Sequence, residues 1–239
     1  MKHLLTKIIL ATLILFVTSC TKQDELLEKC TGSCTTITGR LVTANGKEPI
    51  VGATVALKWM YGTPSNPKSM LKAKGRTDAD GKYSISFYIK DSELTDGFFE
   101  AFFSVDRNRY YVISNNNDDG IAFYTLKRDT IAQAKDYLIP RKAYVRLAIT
   151  NQNQIATGGG QYMSMFNSCY GFNTVFSREI QGGGPSISWY GWADETPVPI
   201  PGDQPVIVRN FKVKNGLTTI NQDSIFVAAG TTQNYTVTY

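Results

Sequence analysis

Four cysteines and one histidine are the side chains of this sequence with the widest choice of chemistry. The histidine, His3, lies in a segment that we expect to be cleaved off, and the rest of the 239-residue chain has no imidazole. The remainder therefore lacks the groups for Ser-His-Asp or Cys-His catalysis and for histidine-bound metal. Neither a GxSxG nor a GxxxxGK(S/T) motif occurs. We predict a protein that is not an enzyme and needs no cofactor.

Carboxylates could serve a glycosidase, which needs two of them about 5–10 Å apart. The acidic residues considered for such a pair are Glu93, Asp96, Glu100, Asp194 and Glu195. Their spacing singles out no pair. Ser65 and Lys68 match the letters of an SxxK motif, but Pro67 argues against the helix start that carries such a nucleophile.

Two short segments carry several oxygen ligands of the kind that cations prefer. Asp78 to Gly81 resembles the opening of an EF-hand loop, but the twelfth position, which needs a glutamate, is Ile89. A hairpin turn explains this segment better. Asn115 to Gly120 could hold a cation weakly, although a solvated loop is the simpler interpretation. We predict no metal site.

The first nineteen residues have the layout of a secretory signal peptide. Lys2 and Lys7 form a basic start, Ile8 to Val17 is an apolar run, and Thr18 and Ser19 are small. The apolar run is shorter than the roughly 20 residues that span a bilayer. We therefore expect residues 1–19 to be removed.

Cys20 follows this segment directly, and Val17 to Cys20 resembles the bacterial lipobox. The resemblance implies that the Cys20 thiol is lipidated, with acyl chains such as palmitate, and that Cys20 becomes the new N-terminus. Two or more acyl chains make such a membrane anchor stable. An ordinary signal peptide followed by a chance cysteine, or a short membrane anchor, is the alternative.

Residues 20–36 read as the lipidated cysteine and a solvated tether. Asp24 and Glu25 come soon after Cys20, which resembles the export signal of surface lipoproteins in some Gram-negative lineages. We expect a protein anchored by lipid in the outer membrane and displayed on the cell surface, with the membrane as its first partner.

Lipidation of Cys20 leaves Cys30, Cys34 and Cys169, which allow three single pairings. An exported location permits a disulfide without requiring one. Zinc is disfavoured because three cysteines without histidine and without a CxxC pair are a poor ligand set.

Charge and composition exclude one class of partner. The chain carries 25 basic and 20 acidic residues, and loss of Lys2 and Lys7 lowers the net charge from +5 to about +3. The basic residues are scattered rather than clustered, so we expect no nucleic-acid partner.

Beyond Thr36 the apolar residues alternate with a period of two, which is typical of half-buried strands. Tyr83 to Ile89, Val145 to Ile149 and Tyr235 to Tyr239 show the pattern. Turn signals separate the strand candidates: Asn45-Gly46, Asp80-Gly81, Asp119-Gly120, Asn215-Gly216 and Ala229-Gly230. We predict an all-β protein made of β-sandwich domains.

One segment is apolar on both faces of a strand. In Phe98 to Phe103, Phe98 and Phe102 face one way and Phe99 and Phe103 the other. A strand of this kind needs cover on both sides, and we expect its second face to contact a neighbouring domain. The domain boundary is predicted near Ile139 to Arg141, which gives domains of residues 37–140 and 141–239.

Residues 37–89 resemble the carboxypeptidase regulatory-like domain, a transthyretin-like β-sandwich. The matching residues are Ile37-x-Gly39-x-Leu41, Gly46-x-x-Pro49-Ile50-x-Gly52-Ala53-x-Val55 and Thr77-Asp78-x-Asp80-Gly81-x-Tyr83-x-Ile85. The resemblance implies an accessory domain of the kind found beside peptidases, at receptor N-termini and in surface lipoproteins, with no catalytic motif to transfer. It also implies a loop at Trp59 to Lys74, where such domains vary.

The second domain is predicted only as a generally Ig-like sandwich, and its aromatic residues are its candidate binding site. Tyr190 and Trp192, with Tyr170 nearby in sequence, could form an exposed platform for a ligand. The function that follows is a non-enzymatic surface lipoprotein, an interaction or accessory module that binds an outer-membrane protein. Glycan binding through these aromatics is the alternative.

Overall fold

The computed structural model of the chain describes residues 27, 30–112, 119–157, 160–168, 186–189 and 197–239. Strands dominate these residues, and their alternation of buried and exposed side chains follows the sequence pattern. The elements of the first half are β1 (Thr35–Thr43), β2 (Glu48–Pro49), β3 (Thr54–Thr63), β4 (Asn66–Arg76), β5 (Lys82–Phe87), α1 (Asp91–Thr95), β6 (Phe98–Ser104), β7 (Asp119–Phe123), β8 (Ile131–Gln133) and β9 (Tyr137–Leu138).

Two sheets face each other in the first half. In one sheet, β1 pairs antiparallel with β2 and β5 and parallel with β8 and β9; the other sheet has the order β4-β3-β6-β7. Aromatic rings fill the space between them: the centroids of Phe87 and Phe99 are 5.2 Å apart, and Phe103 lies 5.7 Å from Tyr83 and 4.9 Å from Tyr137. The alternating residues of β5 and β6 supply these rings from opposite sheets, which makes the half a β-sandwich.

The second half repeats the two-layer plan with different strand pairings. Its elements are β10 (Lys142–Thr150), α2 (Asn153–Thr157), β11 (Gln161–Ser168), β12 (Ser186–Trp189), β13 (Val198–Pro201), β14 (Pro205–Lys214), β15 (Leu217–Phe226) and β16 (Thr232–Thr238). One sheet has the order β13-β10-β16, in which β10 and β16 run parallel, and the other has the order β12-β11-β14-β15. Val145 of the first sheet and Phe166 and Val208 of the second share one buried apolar cluster. The all-β sandwich fold predicted from the sequence is confirmed.

Buried side chains fall into separate clusters along the chain. One cluster runs from Ile37 to Ile139, and two smaller clusters lie between Ala143 and Tyr239. At the junction, Arg141 pairs with Tyr110 in an isolated antiparallel bridge. The Arg141 guanidinium also donates from Nε and Nη2 to Asp203 Oδ2 at 2.9 and 2.7 Å, and its Nη1 lies 3.4 Å from Glu48 Oε2. The hydrogen bonds to Asp203 fix this arginine within the second half, and its bridge to Tyr110 and its contact with Glu48 join it to the first half.

The Asn-Gly and Asp-Gly signals mark real turns where the backbone needs a positive φ. Asn215 and Gly216 have φ values of 53° and 75° between β14 and β15, as a two-residue hairpin turn requires. At Asp80-Gly81, the Asp78 carboxylate accepts the N–H groups of Asp80 and Lys82 at 2.9 and 2.8 Å. The segment is therefore a tight turn, as predicted, but it does not close a hairpin, because β4 and β5 on either side of it belong to different sheets and do not pair with each other.

Two further local expectations are wrong. Trp59 to Lys74 is a long hairpin of β3 and β4 rather than a loop, in which Thr63 pairs with Asn66 across the turn. Pro67 is tolerated because it lies at the beginning of β4, where a missing backbone donor costs little. Asp119-Gly120 is not a turn but the beginning of β7, opposite Phe102 and Phe103.

Several expectations concern segments outside the described residues. They are the signal peptide, residues 20–26 of the tether, the stretch 113–118 of the oxygen-rich loop, and Cys169. In the part of the chain that the structure covers, no helix has both the length and the apolar character to cross a membrane.

Candidate functional site

The structure does not describe the sequence-derived site residues. Cys20, Tyr170, Tyr190 and Trp192 all lie outside the described residues. Of the three pairings left open for the other cysteines, the structure has the disulfide between Cys30 and Cys34, directly before β1. This disulfide closes a short loop at the end of the tether and does not connect the tether to the second half.

An aromatic surface lies instead on the outer side of the sheet β4-β3-β6-β7. The alternation of β6 buries Phe99 and Phe103 in the core, at 3 % and 0 % exposure, and turns Phe98 and Phe102 outward. We call the outward set, Met60, Phe98, Phe102 and Tyr124, the aromatic face. Its chemistry follows directly from a strand that is apolar on both sides.

Phe98 lies between Met60 and Tyr124 on the aromatic face. Met60 on β3 is its direct cross-strand partner, and the Phe98 ring lies 5.1 Å from the ring of Tyr124. Tyr124 is 75 % exposed. We expected the second face of β6 to contact the neighbouring domain; the contacts of Phe98 and Phe102 among the described residues are instead with Tyr124 and Lys58 of their own half. Both rings stay half-exposed.

A pair of charges separates Phe98 from Phe102 on this surface. Lys58 lies directly across from Glu100, and its Nζ is 4.7 Å from the centroid of the Phe102 ring, a cation–π distance. Burial raises the pKa of the Glu100 carboxyl, and the nearby Lys58 charge partly opposes this rise. The aromatic face therefore combines rings with two neighbouring side chains of opposite charge, a composition found at protein interaction surfaces.

A pocket of about 290 Å³ borders the aromatic face at the free end of the β3–β4 hairpin. We call it the hairpin pocket. The residues that line it include Met60, Tyr61, Pro64, Pro67, Lys68 and Phe98. Met60 and Phe98 belong to both surfaces, so a bound group in the pocket would touch the aromatic face as well.

Trp59 contacts two residues that line the hairpin pocket, Tyr61 and Asp96. Its ring stacks on that of Tyr61 with centroids 4.1 Å apart, and its indole N–H donates to the Asp96 carbonyl at 3.0 Å. Gly97, at φ 73°, passes so close to Met60 that a Cβ would collide with the Met60 carbonyl oxygen. Glycine at this position lets the loop before β6 close the pocket.

Of the carboxylates considered for catalysis, Glu93 has clear structural partners. Glu93 is 4 % exposed and accepts Lys72 Nζ at 2.6 and 2.8 Å and the Lys90 N–H at 2.9 Å. This carboxylate neutralises a half-buried lysine and caps α1, so it serves the fold. Within the described ranges no cluster of three or more His, Cys, Asp or Glu side chains could hold a metal ion.

The sequence missed Met60 and Tyr124 as site residues. The doubled Phe pattern of β6 identifies the strand and its outward rings, but it does not say which strands flank it. Both missed residues reach the site through pairings with β3 and β7, which join positions far apart in sequence.

Comparisons with known proteins identify no family for the chain. No family model and no curated protein matches it. Among solved structures, the chain is similar to the Bacillus anthracis TIE protein (TM-score 0.33, 11 % identity, covering 86 % of this chain and 34 % of that one). It is also similar to the shaft pilin SpaA of Lactobacillus rhamnosus GG (0.32, 10 %, 87 % and 98 %) and to BcpA, the major pilin subunit of Bacillus cereus (0.31, 8 %, 82 % and 69 %).

The chain thus spans about a third of the length of the TIE protein. With TM-scores this low, the three likenesses carry no argument about function.

Proposed function

We propose that the chain is a non-enzymatic lipoprotein, anchored through Cys20 in the outer membrane, whose β-sandwich body binds a protein partner in a cell-surface assembly. Residues 1–19 serve as its signal peptide, and residues 37–140 act as an accessory domain of the carboxypeptidase regulatory-like kind. In this proposal the β-sandwich body binds the partner protein, and the lipid on Cys20 holds the body at the outer membrane.

The aromatic face is the observation that carries the binding part of this proposal. Large rings bring much apolar area to an interface at a low cost in side-chain entropy, and they dominate the energetics of many interfaces. Tyr124 is 75 % exposed beside the half-exposed Phe98. A neighbouring protein that covered both rings would remove this apolar area from water, at about 25 cal/mol per Å² buried.

Glycan binding is the alternative function, and the hairpin pocket favours it. The pocket brings the rings of Tyr61 and Phe98 next to polar groups of Lys68 and Asp96. A sugar needs such a combination, because its C–H faces pack on rings while its hydroxyl groups need hydrogen-bonding partners. Tyr170, Tyr190 and Trp192 stay the sequence-derived candidates for the same function.

A photo-crosslinking amino acid at position 124, in the full chain expressed in its native host, tests the protein partner. We expect a discrete crosslinked species on illumination, and we expect Phe98→Ala to abolish it. The matched control places the crosslinker at Tyr88, another exposed tyrosine, which directly follows β5 of the opposite sheet. Equal adducts from positions 124 and 88, or none from 124, would contradict a docking role for the aromatic face.

The anchor is tested separately by mass spectrometry of the protein from the same cells. We expect a chain that begins at an acylated Cys20, and a Cys20→Ala variant that is not acylated. A native chain with residues 1–19 still attached and without acyl groups would overturn the lipoprotein proposal. Protease treatment of intact cells then distinguishes surface display from the periplasmic side.

A further inference from the structure

The outermost strand of one sheet in the second half is long and exposed. β15 pairs with β14 over its whole length in one unbroken register, and it is the last strand in the sheet order β12-β11-β14-β15. Among the described residues no strand pairs with its other side. Nine of its ten residues are exposed, and only Ile225 is buried. We call the unpaired side of β15 the free edge.

The free edge lacks the features that usually prevent an edge strand from pairing with another chain. Such features are prolines, charged side chains (lysine above all) and bulges. β4, the outermost strand of the sheet β4-β3-β6-β7, has all of them: Pro67, three lysines and a bulge against β3. β15 has no proline, no lysine or arginine and no bulge, and its one charged residue is Asp223. The free edge is therefore open to a further strand.

The hairpin turn decides which backbone groups point to the free edge. Lys214 and Leu217 close the two-residue turn and are direct partners, and the closing residues of such a turn exchange both backbone hydrogen bonds. Hydrogen bonding to β14 then alternates along the strand, so the even-numbered residues of β15 direct their N–H and C=O groups outward. Ser224 donates its N–H to Asp223 Oδ1 at 2.7 Å, which agrees with an N–H group that points away from β14.

Two large apolar side chains lie on the outer face of β15. Ile220 and Phe226 are 59 % and 60 % exposed, and their even numbers place them on the side opposite to the buried Ile225. A β-branched side chain and an aromatic ring on neighbouring strands stabilise each other. A strand that brings a second pair of this kind would therefore suit the free edge.

β15 is complementary to a second copy of itself. In an antiparallel pairing centred on Gln222, the even-numbered residues of the two strands face each other and form about ten backbone hydrogen bonds. Ile220 then lies diagonal to Phe226 of the second copy, a separation that an aromatic ring can span. Asp223 lies opposite Asn221 of the other strand rather than opposite its own copy, so like charges do not face each other across the pair.

We infer that the chain forms a symmetric dimer through antiparallel pairing of β15 with β15 of a second copy. A strand that is its own complement produces a two-fold interface, the commonest symmetry of soluble oligomers. The sheets β12-β11-β14-β15 of the two copies then become one continuous sheet. The interface lies in the second half and involves no residue of the aromatic face. It therefore goes beyond the proposed function and is tested independently of it.

Cysteine crosslinking of the full chain with Gln222→Cys, expressed in its native host, tests the dimer. The two side chains at position 222 lie on the two-fold axis, with Cα atoms about 5.5 Å apart in such a pair, so a short bis-maleimide should join them. We expect a species of twice the chain mass, linked at position 222 in both copies by mass spectrometry, which the wild type with its natural cysteines does not give. The absence of this species, or a crosslink from position 222 to a different protein, would overturn the inference.

Further substitutions in the Gln222→Cys chain separate edge pairing from general association. Ile220→Lys gives the free edge the charge that protects other edge strands, and it should lower the yield of the crosslinked pair by about tenfold or more. Ser224→Pro removes an outward N–H but no bond to β14, and it should have a similar effect. The matched control, Met70→Lys, changes an exposed apolar side chain on β4 and should leave the yield unchanged. Equal yields in Ile220→Lys and Met70→Lys would show that β15 is not the interface.

Discussion

The two halves of the molecule are built on the same two-layer plan but filled differently. The core of the first half is apolar and aromatic: the Phe87 ring packs on Phe99, and the Phe103 ring packs on both Tyr83 and Tyr137. The second half has two smaller apolar clusters. Between them lies a buried group of hydrogen-bonded side chains.

Asn210 organises that polar group. Its Oδ1 accepts hydrogen bonds from the Tyr162 hydroxyl at 2.7 Å and from the Ser164 hydroxyl at 2.6 Å, and its Nδ2 donates to Tyr235 Oη at 3.1 Å. A satisfied polar network specifies one arrangement of its strands, but it adds less stability than well-packed rings of the same volume. The comparison teaches that the first half depends on packing and the second on the completeness of its hydrogen bonds.

Removal of one central ring should have the largest effect. Phe103 is fully buried between Tyr83 and Tyr137, so Phe103→Ala should lower the free energy of unfolding of the first half by about 3–5 kcal/mol. Urea denaturation measures the change. Phe226→Ala, which truncates a ring that is 60 % exposed, is the control and should cost less than about 0.5 kcal/mol. Similar losses in the two variants would contradict the importance of ring packing.

The next largest effect is expected at alkaline pH, which should lower the stability of the two halves by different amounts. Burial raises the pKa of Tyr83 and Tyr137 in the first core, and it raises the pKa of Tyr111 and of Tyr162 to about 12 each. A tyrosine has an unfolded pKa near ~10, so the folded state holds these protons more tightly than the unfolded state does. Their contribution to stability is complete below about pH 10 and is lost as the pH rises through the folded pKa values.

Denaturation curves recorded between pH 9 and pH 12 check this prediction. The first half contains three of these four tyrosines, so its stability should decline more steeply than that of the second. Tyr162→Phe should flatten the decline of the second half alone. A stability that does not change over this range would contradict the raised pKa values.

Loss of the Asn210 amide should have a moderate effect. Asn210→Ala leaves the buried Tyr162 and Ser164 hydroxyls without their shared acceptor, at a cost of about 1–3 kcal/mol. Asn221 lies opposite Asn210 across the β14–β15 pair but is exposed, so Asn221→Ala should be close to neutral. Chemical denaturation monitored in the second half compares the two variants. Equal effects would remove the polar network as the distinguishing feature of this core.

The contact between the halves should contribute least. Arg141→Ala removes the contact with Glu48 across the junction and, within the second half, the paired hydrogen bonds to Asp203. Because the Arg141 and Asp203 side chains are about a quarter exposed, we expect a loss of about 1 kcal/mol. Calorimetry should show the unfolding transitions of the two halves moving apart, while Arg146→Ala leaves their separation unchanged. Coincident transitions in Arg141→Ala would mean that other contacts couple the halves.

Much of the local structure could be predicted from the sequence, because it depends on neighbouring residues. The alternation in β5 and β6 and the Asn215-Gly216 turn are decided by side-chain period and by backbone preference. The sequence pattern was less reliable where two signals competed. Pro64 and Pro67 favoured a loop, yet pairing with β3 extends β4 through Pro67.

The sites were harder to predict because distant segments create them. Tyr124 joins Phe98 only after β7 pairs with β6, and β15 becomes an edge only in the strand order of the folded sheet. The disulfide could not be chosen among three pairings, since the choice depends on the distance between thiols in the folded chain. Pattern alone contains no such distance.

In each half, the first long strand runs parallel to a segment that arrives much later. Thr36 of β1 pairs with Ile131, 95 residues on, and Tyr144 of β10 pairs with Thr232, 88 residues on. Contacts at such separations form slowly, since a long stretch of chain must be ordered before they can be made. During synthesis the first sandwich has all its strands once β9 has emerged, whereas the second must wait for β16. The molecule is thus expected to fold in sequence, with the aromatic face in place before the Asn210 network can close.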